Sequence, residues 1–314
     1  MKALVYQGER TLRLQDVAEP VLEVDDVLVR VAAVGVCGSD MGLIRGEIPA
    51  AQTPLILGHE FGGWLDDGQF VVVNPMLSCG TCTRCQVGNT HLCAKLRVLG
   101  FRRSGAYAER VAVPRRNLVP APGLSPLQSA LVEPVANGVH AWHRAGRPTG
   151  SVAIIGAGSI GMCLLHVLVA NGVRDITVVD PMAERQAHAL RDGAHHAAAE
   201  LTGEYDAVFD AAGTQATRLT AACCTAPGGF VALIGLHDNK LDLSASTLIV
   251  GDRTLCGCFA YSQQEFAAAV PLTQSFNPSW LQTVPLQASE AAMQALIDGT
   301  APRSQIKTVF QVAA

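Results

Sequence analysis

The turn Gly156-Ala-Gly158-Ser159-Ile160-Gly161 constrains this chain most, because it joins an apolar β-branched run, Ser151-Val-Ala-Ile-Ile155, to a helix-length apolar segment, Met162 to Ala170. Glycines at this G-x-G-x-x-G spacing permit a sharp turn, a close approach of backbone to a pyrophosphate, and tight packing of helix on strand. The first amides of the helix then face the phosphates. The spacing alone is weak evidence. Its position between strand and helix, ahead of a second strand at Asp175-Ile-Thr-Val-Val-Asp180, is what predicts a dinucleotide-binding βαβ unit. Gly156, Gly158, Ser159, Ile160 and Gly161 are therefore candidate cofactor-binding residues. Asp180 follows Gly161 by nineteen residues, where a carboxylate reaches an adenosine ribose and repels a 2′-phosphate, so NAD is expected. Arg185 is the residue that keeps NADP open. The competing reading of Asp180 is an ordinary N-cap before Pro181-Met-Ala-Glu. The apolar stretch from Val152 to Ala170 could also suggest a membrane span, but three glycines and a β-branched run argue for strand, turn and helix.

Strand and helix alternate onward through Tyr205-Asp-Ala-Val-Phe-Asp210, Gly229-Phe-Val-Ala-Leu-Ile-Gly235 and Thr254-Leu-Cys-Gly-Cys-Phe259, a pattern that builds a parallel sheet covered on both faces. The turn-rich Gly146 to Ser151 segment marks its entrance. The expected division is a nucleotide-binding domain over residues 142–280 and a catalytic domain over 1–141 and 281–314. The catalytic part reads as short strands and turns, with Asp67-Gly68 between apolar runs as a tight-hairpin signal.

Four cysteines, Cys79, Cys82, Cys85 and Cys93, lie within fifteen residues. C-x-x-C spacing lets the backbone turn back on one ion, and four thiolates complete a tetrahedron with no open position, the arrangement of a structural zinc. The alternative, a pair of disulfides, needs an oxidising compartment and an awkward bridge between cysteines three apart. His91 lies in the same lobe and is read as a bystander.

A closed site cannot do chemistry, and the chain offers a second, incomplete set: Cys37 in Gly35-Val-Cys-Gly-Ser-Asp40, His59 in Leu57-Gly-His-Glu-Phe61, and Glu133 before Pro134. One thiolate, one imidazole and one carboxylate leave a fourth position open for water or substrate. Taken singly these residues are weak evidence: a lone cysteine is usually a buried small hydrophobe, and a lone Glu-Pro a surface turn. Together with the four-cysteine lobe, the segments Gly35 to Asp40 and Gly58 to Phe61 resemble the zinc-dependent medium-chain dehydrogenases in order and spacing, from Met1 to the region of Lys307.

The resemblance implies an α/β fold: a doubly wound parallel Rossmann sheet plus a mostly β, GroES-like catalytic domain. It also implies two Zn²⁺ per chain and NAD, with hydride exchanged with a secondary alcohol. Glu133 in its Glu-Pro context, with the stretches 100–109 and 133–142, is similar to the polyol branch that includes galactitol-phosphate, sorbitol and threonine dehydrogenases. On the same resemblance, Ser39 begins a proton relay, Asp40 orients the ligating histidine, Glu60 supports or visits the metal, the Leu236 backbone meets the nicotinamide amide, and Lys307 reaches the pyrophosphate. Lys307 as a solvated lysine on an edge strand is the plain alternative. Gly42 stands where many relatives carry a relay histidine, so proton release is expected through water, cofactor ribose or Glu60, without an imidazole step in the pH profile. Ile44-Arg45, Tyr107 and Phe259 are expected in pocket walls. Arg102-Arg103 is read either as an anion-binding fork or as a solvated pair.

The balance of 23 basic against 27 acidic residues, net −4, gives no footprint for nucleic acid. With 49% hydrophobic and 16% charged residues, buried sheets and a subunit interface are expected, hence a homo-oligomer, dimer or tetramer. Ten cysteines and no secretory leader point to the cytoplasm, and no membrane partner is expected. The partner is a small-molecule alcohol. The rival classes are a threonine- or diol-type dehydrogenase, a zinc-independent quinone reductase and a non-catalytic NAD(H)-binding module.

Overall fold

A computed structural model of the protein describes residues 1–48, 52–302 and 304–312. The chain forms two units, one of Met1–Glu133 with Ser262–Ala314 and one of Pro134–Tyr261.

The first unit is mostly β. Its principal sheet has the order Leu118–Pro120, Phe70–Val73, Glu60–Trp64, Asp26–Gly35, Lys307–Gln311 and Leu281–Pro285, with Arg110–Pro114 pairing onto the long 26–35 strand. The inward faces of these strands supply Val29, Val31, Val34, Phe61, Val71, Val73 and Phe310 to one core, each almost fully buried. The hairpin expected at Asp67-Gly68 joins Glu60–Trp64 to Phe70–Val73: Gly68 takes φ +85° and the Asp67 carboxylate accepts the Gln69 N–H at 2.9 Å. The C-terminal strand is interior to the sheet, so Lys307 is not on an edge.

The return to this unit comes earlier than residue 281. The helix Gln263–Gln274 packs against Pro126–Ser129, and the buried Gln128 amide donates to the Gln274 carbonyl at 2.9 Å and the Phe276 carbonyl at 3.3 Å. The turn at 146–151 marks the first parallel strand, while the unit itself starts with the helix Val132–Arg144.

The second unit is a six-stranded, all-parallel sheet ordered His196–Ala198, Asp175–Val179, Ser151–Ile155, Tyr205–Asp210, Thr225–Leu233 and Thr254–Gly257. The order runs outward both ways from the 151–155 strand, so that strand and its neighbour 205–210 flank the switch point where such sheets bind ligands at their carboxyl ends. Among the described residues no helix is long and apolar enough to cross a membrane.

Candidate functional site

The expected glycine turn performs three separable steric tasks. Gly156 takes φ +100°, and a side chain there would press on the Ala212 backbone at 3.0 Å. A side chain on Gly161 would run into the Gly156 carbonyl oxygen, so this glycine lets the helix Ser159–Ala170 close onto the turn. Gly158 differs: nothing lies within 4 Å of where its Cβ would be, and it caps the helix without a side-chain hydrogen bond. The helix therefore begins with uncapped amides beside open space, and the adjoining Ser159 hydroxyl is a buried polar atom with no partner. Unclaimed donors next to an unobstructed backbone suit a phosphate.

Asp180 lies one residue past its strand and is 4% exposed. It is not the N-cap of the following helix, a place held by Met182; one carboxylate oxygen accepts the Ala157 N–H of the glycine turn at 3.0 Å and the other the Met182 N–H at 3.0 Å. Arg185 approaches Asp180 at 3.7 Å. Leu236 is 80% exposed, just beyond Gly235, whose backbone touches that of Gly213 because neither residue has a side chain to intervene.

Two groups of metal-ligating side chains converge among the described residues. The first is Cys79, Cys82, Cys85 and Cys93, all free thiols. Sulfur–sulfur separations are 3.5 Å for Cys82–Cys85, 3.9 Å for Cys82–Cys93 and 4.0 Å for Cys79–Cys85. A tetrahedron with Zn–S bonds of ~2.3 Å has edges of ~3.8 Å, so these separations bracket what that ion requires and are far too long for disulfides. Backbone N–H groups of Cys82 and Lys95 donate to the sulfurs of Cys79 and Cys93 at 3.4 and 3.3 Å. The Thr81 side chain, with the backbone amides of Thr81 and Cys82, brings the Cys79 thiol down to about 5, and the amides of Cys85 and Ala94 lower Cys82. Burial and the neighbouring Cys82 push Cys85 up to about 11. His91 is buried in the lobe and outside the ligand group.

The second group is Cys37, His59 and Glu60, whose ligand atoms all lie within 4.8 Å of one another. The sequence reading placed Glu133 in this trio; the structure places Glu60 there, and Glu133 is buried in the first turn of the helix Val132–Arg144. The reason is local. Glu60 opens its strand directly opposite Gly35, and the bare Gly35 leaves a slot that the Glu60 carboxylate and the Lys307 side chain fill together. Lys307 is 2% exposed, forms an ion pair with Glu60 and donates to the Val36 carbonyl at 3.3 Å. This corrects the plain alternative for Lys307: its ammonium is not solvated on an edge strand but buried against the Glu60 carboxylate.

Cys37 precedes the short helix Gly38–Ile44 and forms a capping box with Asp40: the Asp40 carboxylate accepts the Cys37 N–H at 2.9 Å. The other Asp40 oxygen faces His59 Nδ1 at 3.3 Å, which leaves Nε2 directed at Ser39 Oγ, 3.4 Å away. Ser39 Oγ also donates to Cys37 Sγ at 3.1 Å. Burial and then the Glu60 charge push the Cys37 thiol up, with His59 opposing them. Burial would raise Asp40, but His59, Tyr107 and the Cys37 amide outweigh it and hold the carboxyl below its ordinary range. A half-buried soft thiol, an imidazole whose Nδ1 is turned to Asp40 and a buried carboxylate form a donor set suited to a divalent cation.

Sequence reasoning missed Tyr107, expected in a pocket wall but fully buried with its hydroxyl donating to Asp40 at 2.7 Å. It also missed Arg103, which is ion-paired with Asp26 and lies 3.7 Å from Glu23, so it is neither an anion fork nor a solvated residue. The Cys-x-x-Asp capping pattern was the available signal for Asp40. Nothing comparable in the sequence tied Tyr107 to it.

Comparison with known proteins agrees with this layout. Residues 23–123 match the alcohol dehydrogenase GroES-like domain, and residues 159–275 match the zinc-binding dehydrogenase family. The chain is 32% identical over 273 residues to galactitol 1-phosphate 5-dehydrogenase of Escherichia coli, covering 79% of each chain. It is 29% identical over 291 residues to L-galactonate-5-dehydrogenase of the same species, covering 85% of each. The crystal structure of galactitol-1-phosphate dehydrogenase from Escherichia coli superposes with a TM-score of 0.90 at 28% identity, over 99% of this chain and 100% of that one. The protein belongs to the zinc-binding alcohol dehydrogenase family and is an oxidoreductase of that class.

Proposed function

We propose that this protein moves hydride between a secondary alcohol, a polyol, sugar alcohol or sugar-alcohol phosphate, and NAD, using one zinc at Cys37, His59 and a carboxylate and a second at the four-cysteine lobe. The observation that carries the proposal is Ser39 Oγ at 3.1 Å from Cys37 Sγ and 3.4 Å from His59 Nε2, which puts a hydroxyl able to pass a proton beside two of the donor atoms. When bound, zinc supplies Lewis acidity toward an alcohol oxygen and the dinucleotide supplies the hydride acceptor.

The chain's own residues do the rest. Cys37 and His59 Nε2 hold the ion, and Glu60 is the carboxylate the geometry favours, with Glu133 as the alternative from the sequence. The Asp40 oxygen that faces His59 Nδ1 at 3.3 Å favours the tautomer with its proton there, which would leave Nε2 for the ion. Ser39 Oγ accepts the substrate hydroxyl proton and releases its own to water. An imidazole relay is absent along this helix: at Gly42 the space a side chain would enter is met by Ile48 Cδ1 at 3.2 Å. In the nucleotide-binding unit, the amides and Ser159 hydroxyl after Gly158 hold the pyrophosphate, Ile160 and Gly161 shape that turn, the exposed Leu236 backbone is free for the nicotinamide amide, and Asp180 takes the adenosine ribose. Its negative charge favours NAD, with Arg185 as the residue that would admit NADP.

The same reading makes the protein cytoplasmic, supported by ten free thiols, and homo-oligomeric. Ile249 and Val250, 75% and 86% exposed just before the edge strand Thr254–Gly257, support a subunit interface. The test is a panel of polyols, their phosphates, aldonates, threonine and simple diols with NAD and NADP, read at the absorbance of reduced cofactor. Turnover with NAD on a polyol-type substrate, with a pH profile lacking an imidazole step, is expected. Turnover only on quinones, or reduced-cofactor binding without turnover on any alcohol, would overturn it.

A further inference from the structure

Among the described residues, the buried Tyr107 hydroxyl donates to Asp40, beside the candidate ligands Cys37 and His59. Its oxygen lies 2.7 Å from one Asp40 carboxylate oxygen, the same oxygen that accepts the Cys37 N–H at 2.9 Å. Two donors on one oxygen leave the other, which has no further hydrogen-bond partner, for His59 Nδ1 at 3.3 Å. Asp40 thereby bridges the backbone of one candidate ligand and the ring of the other. Tyr107 decides which way the bridge is turned.

The tyrosine is itself held rigidly. Gly58, immediately before His59, has φ +91°, and a side chain there would strike the Tyr107 ring at 2.5 Å, so the ring lies flat against bare backbone. Backbone bonds lock the two segments side by side: Ala106 N–H to the Gly58 carbonyl at 2.9 Å and Tyr107 N–H to the Leu57 carbonyl at 2.9 Å. Phe310 closes the far side edge-on, with ring centroids 5.2 Å apart. A fully buried phenol whose ring is clamped on both sides cannot turn its hydroxyl away from Asp40 without leaving it unpaired.

We propose that Tyr107 is a positioning residue for the metal centre: its hydroxyl fixes the orientation of Asp40, which sets the His59 ring and the Cys37 backbone for one divalent cation. The proposal rests on Cys37, His59 and a carboxylate being that cation's ligands.

The experiment uses the full chain, stripped of metal and titrated with cobalt(II) in competition with a chelator, while thiolate charge-transfer and ligand-field bands are recorded. Wild type should bind two cobalt ions. In Tyr107→Phe the four-thiolate bands should be unchanged, while the second ion binds about tenfold more weakly, the low end of what outer partners of a ligating histidine are worth, with shifted ligand-field bands. In an Asp40→Asn background the same substitution should change nothing further, which a general packing role would not predict. Wild-type affinity and bands at both centres in Tyr107→Phe would overturn the proposal. So would an equal loss in the Asp40→Asn background, or a metal-free Tyr107→Phe chain that does not fold. If wild type binds cobalt at the four cysteines alone, the underlying site is wrong, and that result appears before any variant is made.

Discussion

The two candidate metal groups lie in one unit of one chain and are built on opposite plans. The four-cysteine lobe draws its ligands from fifteen consecutive residues, leaves two of its sulfurs partly exposed, and surrounds them with amide donors. The Cys37 group collects ligands from a helix cap and a strand start, buries His59 and Glu60 while Cys37 stays half-buried, and surrounds them with other side chains: Asp40, Tyr107, Lys307. Amide donors stabilise thiolates before any metal arrives. Buried carboxylates disfavour a thiolate until a cation offsets their charge. The first plan suits an ion that stays, and the second suits an ion whose charge must be felt by something else.

The largest expected effect separates the two plans by function. His59→Ala or Cys37→Ser should lower kcat/KM about a thousandfold or more, since several kcal/mol of charge stabilisation disappear with the ion. Metal analysis should show one zinc left on a folded chain. Retention of both zincs with unchanged turnover would break the assignment. Glu60→Gln set beside Glu133→Gln tells which carboxylate completes the trio: the variant that loses one zinc identifies it, and Glu60 is expected.

Next comes the Lys307–Glu60 pair. Both groups are buried, so Lys307→Met leaves a lone carboxylate in a desolvated place and should destabilise the metal-free protein by ~3 kcal/mol. Glu60→Gln on top of Lys307→Met should recover part of that loss. Chemical denaturation of the metal-free chains measures both. A Lys307→Met chain as stable as wild type would mean that the pair is not maintained in solution.

Cys82→Ser tests the other plan. It should remove one zinc and make the segment 79–93 a preferred cleavage site in limited proteolysis, while turnover per folded chain stays close to wild type. A collapse of turnover matching that of His59→Ala would show that the lobe does more than hold a loop.

How much of this was legible follows from the same contrast. The four cysteines, the glycine turn with Asp180, and the Asp67-Gly68 hairpin are local patterns, where spacing along the chain fixes spacing in three dimensions. Cys37, His59 and Ser39 stand in short motifs that gain weight only together, through the family they resemble. The third carboxylate, the partner of Lys307 and the role of Tyr107 depend on strand register: Gly35 facing Glu60, the C-terminal strand inserted between 26–35 and 281–285, the 105–107 segment bonded to 56–58. Register is set by tertiary pairing and leaves little trace in a sequence. The early return to the first unit is of this kind too, since Gln128 reaching Gln274 and Phe276 joins residues far apart in the chain.

The smallest effect is a pH dependence of thiol reactivity in the metal-free chain. Cys79 titrates at about 5 because Thr81 and backbone amides stabilise its thiolate, whereas burial and Glu60 raise Cys37 above its ordinary value. The thiolate is the nucleophile, so iodoacetamide at pH 7 should label the lobe first, and its rate there should fall as pH drops through about 5. Cys37 should stay slow until pH exceeds the ordinary thiol range. The linkage has a definite sign: a thiol whose folded pKa is lowered adds stability that is fully present above its unfolded pKa and fades as pH falls toward 5. The metal-free lobe should accordingly loosen on mild acidification, while the Cys37 thiol, raised above its ordinary value, contributes no such dependence there. Mass spectrometry of peptides labelled across pH 4 to 9 reads both thiols in one experiment. Equal labelling rates for Cys79 and Cys37 at pH 7 would erase the distinction between a site prepared for its ion and one that waits for it.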